Sequence, residues 1–192
     1  VWQESHFIGG HPVLDLTNTV FSRAHPTEDG ELLKTPSDVL TWCAAAGLSE
    51  ETPPVVAASA AGFVPQVHAV REQAWAVFSA VARGQAVPPE PFGALAERAG
   101  TGMRAGHVQQ IDAALDRVTA DWKEPEAIPA FLSLLAVHAL FVLQPDRIRE
   151  CGRCGWLFLD SSRGGGRRWC SMSICGNREK AARHRQSGRA AG

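Results

Sequence analysis

Four cysteines crowd the C-terminal quarter of the chain. Cys151 and Cys154 have two residues between them, a spacer of fifteen follows, and Cys170 and Cys175 have four between them. Thiolates are soft ligands, and Zn²⁺ takes four of them at the corners of a tetrahedron. Two close pairs on a spacer long enough to turn back bring all four together at small cost in chain entropy. The expected cofactor is one structural Zn²⁺ held by Cys151, Cys154, Cys170 and Cys175. A disulfide framework fits less well, because the fifth cysteine, Cys43, makes the count odd and stands alone. Redox use of Cys151 and Cys154 lacks the βαβ setting it needs. Four protein ligands also leave no open position of the kind a catalytic zinc requires, so the chain is not expected to be an enzyme.

Cations surround these cysteines. The formal net charge of −1 over 192 residues hides a split. Residues 1–146 hold 8 Lys and Arg against 17 Asp and Glu, whereas residues 147–192 hold 11 against 3. Zn²⁺ with four thiolates carries −2, so Arg153, Arg168 and Arg178, beside or near the ligands, are expected to lean on it. The rest exceed that need. Arg163, Arg167, Arg168, Arg178, Lys180, Arg183 and Arg185, with Trp169 among them, suit contact with DNA phosphates.

The elements that must position these groups can be read around them. Trp156 to Leu159 has strand character, Gly164–Gly166 permits a sharp return, and residues 176–185 have helical composition. A knuckle, a hairpin between the two cysteine pairs and a helix with the last ligand in its first turn is the expected shape. So small a segment has too few large apolar groups to fold without its metal. The composition changes at Asp146, which places one domain at 1–145 and a second at 146–192.

The first of these reads as mostly helical. Thr35-Pro36-Ser37-Asp38 combines an N-cap, a proline at the first helical position and a capping-box carboxylate, and Gly47 can close that helix. Val67, Val70, Ala74, Val77, Phe78 and Val81 predict a long helix over about 65–83, ended by Gly84. A short helix carrying Phe92, Leu95, Ala96 and Ala99 should stop at Gly100. Residues 104–122 fit either a helix, through Val108, Ile111, Leu115, Val118 and Trp122, or two short strands turning near Asp112 to Ala114. The apolar run 127–143 is short for a membrane span and is broken by Pro129, Ser133 and His138. It reads as a core helix, with His138 a hydrogen-bonded core residue; Cys43 reads as a small buried hydrophobe. No membrane association is expected. His11, Asp15 and Asn18 could line a small-molecule effector pocket if Leu14–Val20 is helical, although such residues more often cap turns. No hydrolase elbow, metalloprotease motif or dinucleotide fingerprint is present.

Trp169-Cys170-Ser171-Met172, Cys175-Gly176-Asn177-Arg178, the Lys/Arg helix behind them and the Cys151 knuckle through Phe158 resemble the CGNR zinc finger. Gly9-Gly10-His11-Pro12 and Leu14-Asp15-Leu16-Thr17-Asn18-Thr19 resemble the opening of the ABATE domain that precedes this finger in bacterial proteins. That resemblance implies a bacterial, stress-linked transcription regulator whose finger contacts DNA, and a β-hairpin for 104–122. The expectation is an α+β protein: a mostly helical N-terminal domain with a small β-hairpin, serving as sensor or dimerisation module, then a treble-clef-like four-cysteine zinc finger. Its expected setting is the cytoplasm, since the start shows no basic n-region followed by an apolar stretch. Duplex DNA is the expected partner, with a homodimer supplying enough contact area. The alternatives are an RNA-binding or protein-interaction adaptor using the same finger, and an enzyme built around His11, Asp15 and Asn18.

Overall fold

The computed structural model describes residues 2–25, 27–49, 62–110 and 118–190. Six α-helices are described: α1 (Pro12–Thr17), α2 (Pro36–Ala45), α3 (Phe63–Ala82), α4 (Pro89–Arg104), α5 (Ala127–Val142) and α6 (Asn177–Ala190). Two antiparallel hairpins complete the order, β1 (Val108–Gln110) with β2 (Val118–Ala120) and β3 (Ile148–Glu150) with β4 (Leu157–Leu159).

α2 starts where its cap dictates. Thr35 Oγ1 accepts from the Asp38 N–H at 3.2 Å, and the Asp38 carboxylate accepts from the Thr35 N–H at 2.8 Å. Gly47, at φ 72°, reverses the chain behind it. α3 is the central helix. Its Val67, Val70, Ala74, Val77 and Phe78 are buried against Leu14 of α1, Trp42 of α2 and Leu132 of α5. Beside it, Arg71 is 4 % exposed and is held bidentately by Glu31, with both contacts at 2.7 Å. That pair fixes the irregular chain between α1 and α2 against α3, since a buried guanidinium is tolerated only when paired.

Two expectations about helix ends are corrected. α4 does not stop at Gly100 but runs on to Arg104. Gly102 lets α4 and α5 meet there, because a Cβ at that position would collide with Ala130. α5 is a core helix as far as Ala139, but His138, expected in the core, lies on its exposed face, and Phe141 and Val142 of its last turn are exposed too.

The helical spacing in 104–122 is overridden by strands. Gly106 at φ 76° ends the preceding turn, and Val108 then pairs with Ala120, Gln109 with Thr119 and Gln110 with Val118. This register buries Val108 and Ala120 together on Phe131, which no helix through the same residues would do. The turn expected near Asp112 to Ala114 lies outside the described residues.

β3 and β4 follow the composition change at Asp146, yet Ile148 and Leu157 are buried in the same core as α1 and α3. The cysteine segment is therefore packed on the helices and not hung from them.

Candidate metal centre and basic face

The first cysteine pair forms the turn of the β3–β4 hairpin. Cys151 N–H donates to the Trp156 carbonyl at 2.8 Å and Gly155 N–H to the Cys151 carbonyl at 2.9 Å, which folds Cys151–Cys154 into a knuckle. The hairpin thus encloses the first pair, and the expected hairpin between the pairs is absent among the described residues. Asp160 shapes the loop found there. Its carboxylate accepts from the N–H groups of Ser162 at 2.9 Å and Arg167 at 2.8 Å. Hydrogen bonding from the Ser162 side chain first, and then from these two N–H groups, holds the carboxyl down to about 2 against the opposing effect of burial. Sequence reading passed over Asp160, whose only signal was an acidic residue shortly before a Gly-rich return.

The loop delivers Cys170, and a wide π-type turn over Met172–Gly176 delivers Cys175 just before α6. Ser171 caps that turn by accepting from the Ile174 N–H at 3.4 Å. Gly176 leaves room there for two neighbours, since a Cβ would fall 2.6 Å from Met172 Sδ and 3.3 Å from Trp169. The last ligand sits in the first turn of the helical segment, as expected.

The four Sγ atoms lie within 4.8 Å of one another. Cys154 to Cys170 and Cys170 to Cys175 are both 3.6 Å. A tetrahedron with Zn–S bonds of about 2.3 Å has edges near ~3.8 Å, whereas a disulfide needs about 2 Å. The donor set therefore fits one Zn²⁺, and all four thiols are free. Without a cation the sulfurs cannot all ionise. Hydrogen bonds from Cys154 and Cys170 favour the Cys151 thiolate. Donation to that same sulfur pushes Cys154 up to about 12 and raises Cys170, and burial raises Cys175. A divalent ion supplies the missing charge, so these residues hold a structural zinc. Cys43, far from the cluster, is fully buried and is pushed up to about 12 by burial alone.

The arginines separate into two groups. Arg147 donates to the Ser162 carbonyl at 3.0 Å and Arg149 to the Gly165 carbonyl at 3.0 Å. Arg153, expected to lean on the thiolates, instead pairs with Glu179 at 3.2 Å. Arg167, expected on the outer face, is half-buried: it donates to the Cys170 carbonyl at 2.6 Å and lies 4.7 Å over the Phe158 ring. It supports the metal loop. Arg163, Arg168, Arg178, Lys180 and Arg185 are exposed, with Arg168 stacked on Trp169 at 5.3 Å. The Arg183 side chain lies outside the described residues.

His11, Asp15 and Asn18 all have structural partners. His11 caps α1 by accepting from the Val13 N–H at 3.2 Å. Asp15 accepts from the Gly9 N–H at 2.7 Å. Asn18 donates to the Leu157 carbonyl at 2.8 Å and accepts from its N–H at 2.9 Å. Each thus has the backbone-capping role that such residues more often take, and not the effector-pocket role they could have had. Further contacts extend this seam. The Arg23 and Ala24 N–H groups donate to the Cys154 carbonyl at 2.8 and 3.1 Å, and Trp156 Nε1 donates to the Val20 carbonyl at 2.6 Å. Gly155, at φ 75°, permits this closeness, since a Cβ there would come within 3.1 Å of Ala24 N.

No helix among the described residues is long and apolar enough to cross a membrane. The model of the CGNR zinc finger matches residues 147–187, which include all four cysteines and most of α6. The ABATE model, described as "Putative stress-induced transcription regulator", matches residues 10–144. No curated protein matches the chain. Since the match over 10–144 takes in more than half of the residues, and the finger match follows directly behind it, the chain belongs to the ABATE family and carries a CGNR zinc finger.

Proposed function

We propose that this protein is a DNA-binding transcription regulator whose finger, ordered by zinc, presents α6 and the loop before it to the duplex. One observation carries the reading: the division of the finger's cations. Arg147, Arg149, Arg153 and Arg167 hold the finger together, whereas Arg163, Arg178, Lys180 and Arg185 make no hydrogen bond or ion pair among the described residues. Cations that fold the domain explain the first group. The second remains available for phosphate. The closed tetrathiolate gives the ion a structural role, which agrees with a binding protein and not an enzyme. A reducing cytoplasm keeps such thiols free for metal. A single finger buries only roughly 600–1,000 Å², so sequence-specific binding calls for a homodimer or an added contact from the N-terminal domain.

The test is fluorescence anisotropy of a labelled duplex titrated with zinc-loaded protein at several salt concentrations. If these four cations and the exposed Arg168 meet phosphates, log affinity falls against log salt with a slope of about −4.5. Changing Arg178, Lys180 and Arg185 to alanine, with zinc retained, should flatten that slope by roughly 3. Binding insensitive to salt, or a clear preference for structured RNA over duplex DNA, overturns the reading; the second result favours the RNA-binding adaptor.

A further inference from the structure

A cavity of about 530 Å³ lies between the N-terminal segment and the finger, within the roughly 300–1,000 Å³ typical of small-molecule sites. Its apolar wall comes from both sides: Ile8 and Phe21 from the N-terminal domain, Trp156 and Ile174 from the finger. Phe21 is 55 % exposed, an unusual position for a phenyl ring with no partner to cover it. Arg178 also lines the cavity, as do Arg153 and Glu179. Arg153 and Glu179 are already joined to each other. His6 and His25 line it too, but of its two arginines Arg178 is the one not engaged with another described residue.

The geometry points to a binding site for an aromatic carboxylate, with its ring against Phe21 and Ile174 and its carboxylate on the Arg178 guanidinium. An apolar wall with one aimed polar group is what fixes a small ligand's orientation. A planar guanidinium recognises a carboxylate bidentately. Cys154, Cys170 and Cys175 line the same cavity, so the zinc tetrathiolate, at −2, forms part of its wall and repels any anion. The carboxylate is held only through direct contact with Arg178. Removing that guanidinium should therefore do more than weaken binding: it should reverse the preference between charged and uncharged ligands. This inference rests on the DNA-binding reading in one respect. Arg178 is also a proposed phosphate contact, so ligand and duplex compete for it, and each must weaken the other by the same factor.

The experiment titrates zinc-loaded full-length protein with 1-naphthoate and with uncharged 1-naphthamide, by calorimetry. Wild-type protein should bind naphthoate saturably at one site, about tenfold more tightly than naphthamide, the worth of one charge-assisted pair. Arg178→Ala should bind naphthamide better than naphthoate. Phe21→Ser should weaken both by about tenfold, since it removes apolar wall without touching the charge. Saturating naphthoate should weaken duplex binding by roughly threefold to tenfold, as loss of one phosphate contact would. Absence of saturable naphthoate binding, or a naphthoate preference that survives Arg178→Ala, overturns the site. If naphthoate behaves as expected but the protein binds no duplex, the site stands and the DNA reading falls.

Discussion

The side-chain amide of Asn18 pairs with both backbone groups of Leu157, giving and taking one hydrogen bond at 2.8 and 2.9 Å. β4 pairs with β3 on one edge, and Asn18 takes the place of a further strand on the other. Both partners are buried, Asn18 at 2 % and Leu157 at 0 % exposure. Asn18→Ala strands a donor and an acceptor away from water, at about 1–3 kcal/mol each. Urea unfolding of the zinc-loaded variant should show a loss of roughly 2–5 kcal/mol. A loss below about 0.5 kcal/mol would show that the amide does not hold the strand.

Asp15 makes stability depend on pH in an unusual direction. Burial raises its carboxyl to about 6, against the smaller opposing effect of the Gly9 N–H. The unfolded value is near ~4. Between these values the folded state binds more protons, so the contribution is complete below about pH 4 and is lost as pH rises through about 6. Asp15→Asn keeps an acceptor for Gly9 and removes the charge. Relative to wild type it should gain on the order of 2 kcal/mol on going from about pH 4 to about pH 7, read from urea midpoints. A constant difference across that range would show that burial does not raise the Asp15 carboxyl.

The same two residues show where sequence reading reaches its limit. Cysteine spacing, the Thr35–Asp38 capping box and the glycines closing α2 and α3 are local signals, and the structure realises each of them. Asn18 has a partner 139 positions away, which no local pattern records, so its polarity suggested a pocket. The division of arginines was hidden for the same reason: whether a guanidinium folds the loop or faces solvent depends on where the carbonyls of Ser162, Gly165 and Cys170 lie. At 104–122 the helical period was genuine, but burial on Phe131 favoured strands. Gly100 and Gly102 were indistinguishable until α5 was placed against one of them.

That division gives a prediction of its own. Arg167→Ala removes a 2.6 Å bond to the Cys170 carbonyl and the cover over Phe158, so thermal stability should fall by the equivalent of about 1–3 kcal/mol. Arg163→Ala touches nothing inside the fold and should leave the melting temperature within the range of about 0.5 kcal/mol typical of surface changes. Duplex affinity should follow the opposite pattern, with Arg163→Ala making the salt slope shallower by about 1. Equal effects of both variants on stability would show that the two arginines are not in distinct environments.

Zinc removal should dismantle the finger unevenly. A four-thiolate site contributes roughly 10–16 kcal/mol of apparent folding energy at neutral pH, and Cys170 and Cys175 belong to a small cluster with Trp156 and Phe158 that is separate from the main core. β3 and β4 differ, because Ile148 and Leu157 are in the main core, Asn18 holds Leu157, and Arg23 and Ala24 hold the Cys154 carbonyl. Chelation followed by hydrogen exchange should therefore expose amides from about Trp169 to Glu179 while the Leu157 amide remains protected. Acidification should act in the same direction as the chelator. With Cys154 pushed up to about 12, and Cys170 and Cys175 raised as well, binding the ion displaces protons, so zinc affinity falls as pH falls. One zinc per chain at neutral pH, lost in Cys154→Ser and kept in Cys43→Ser, identifies the ligands. Simultaneous loss of protection at Leu157 would mean that the metal, and not the contact with the helices, holds the hairpin in place.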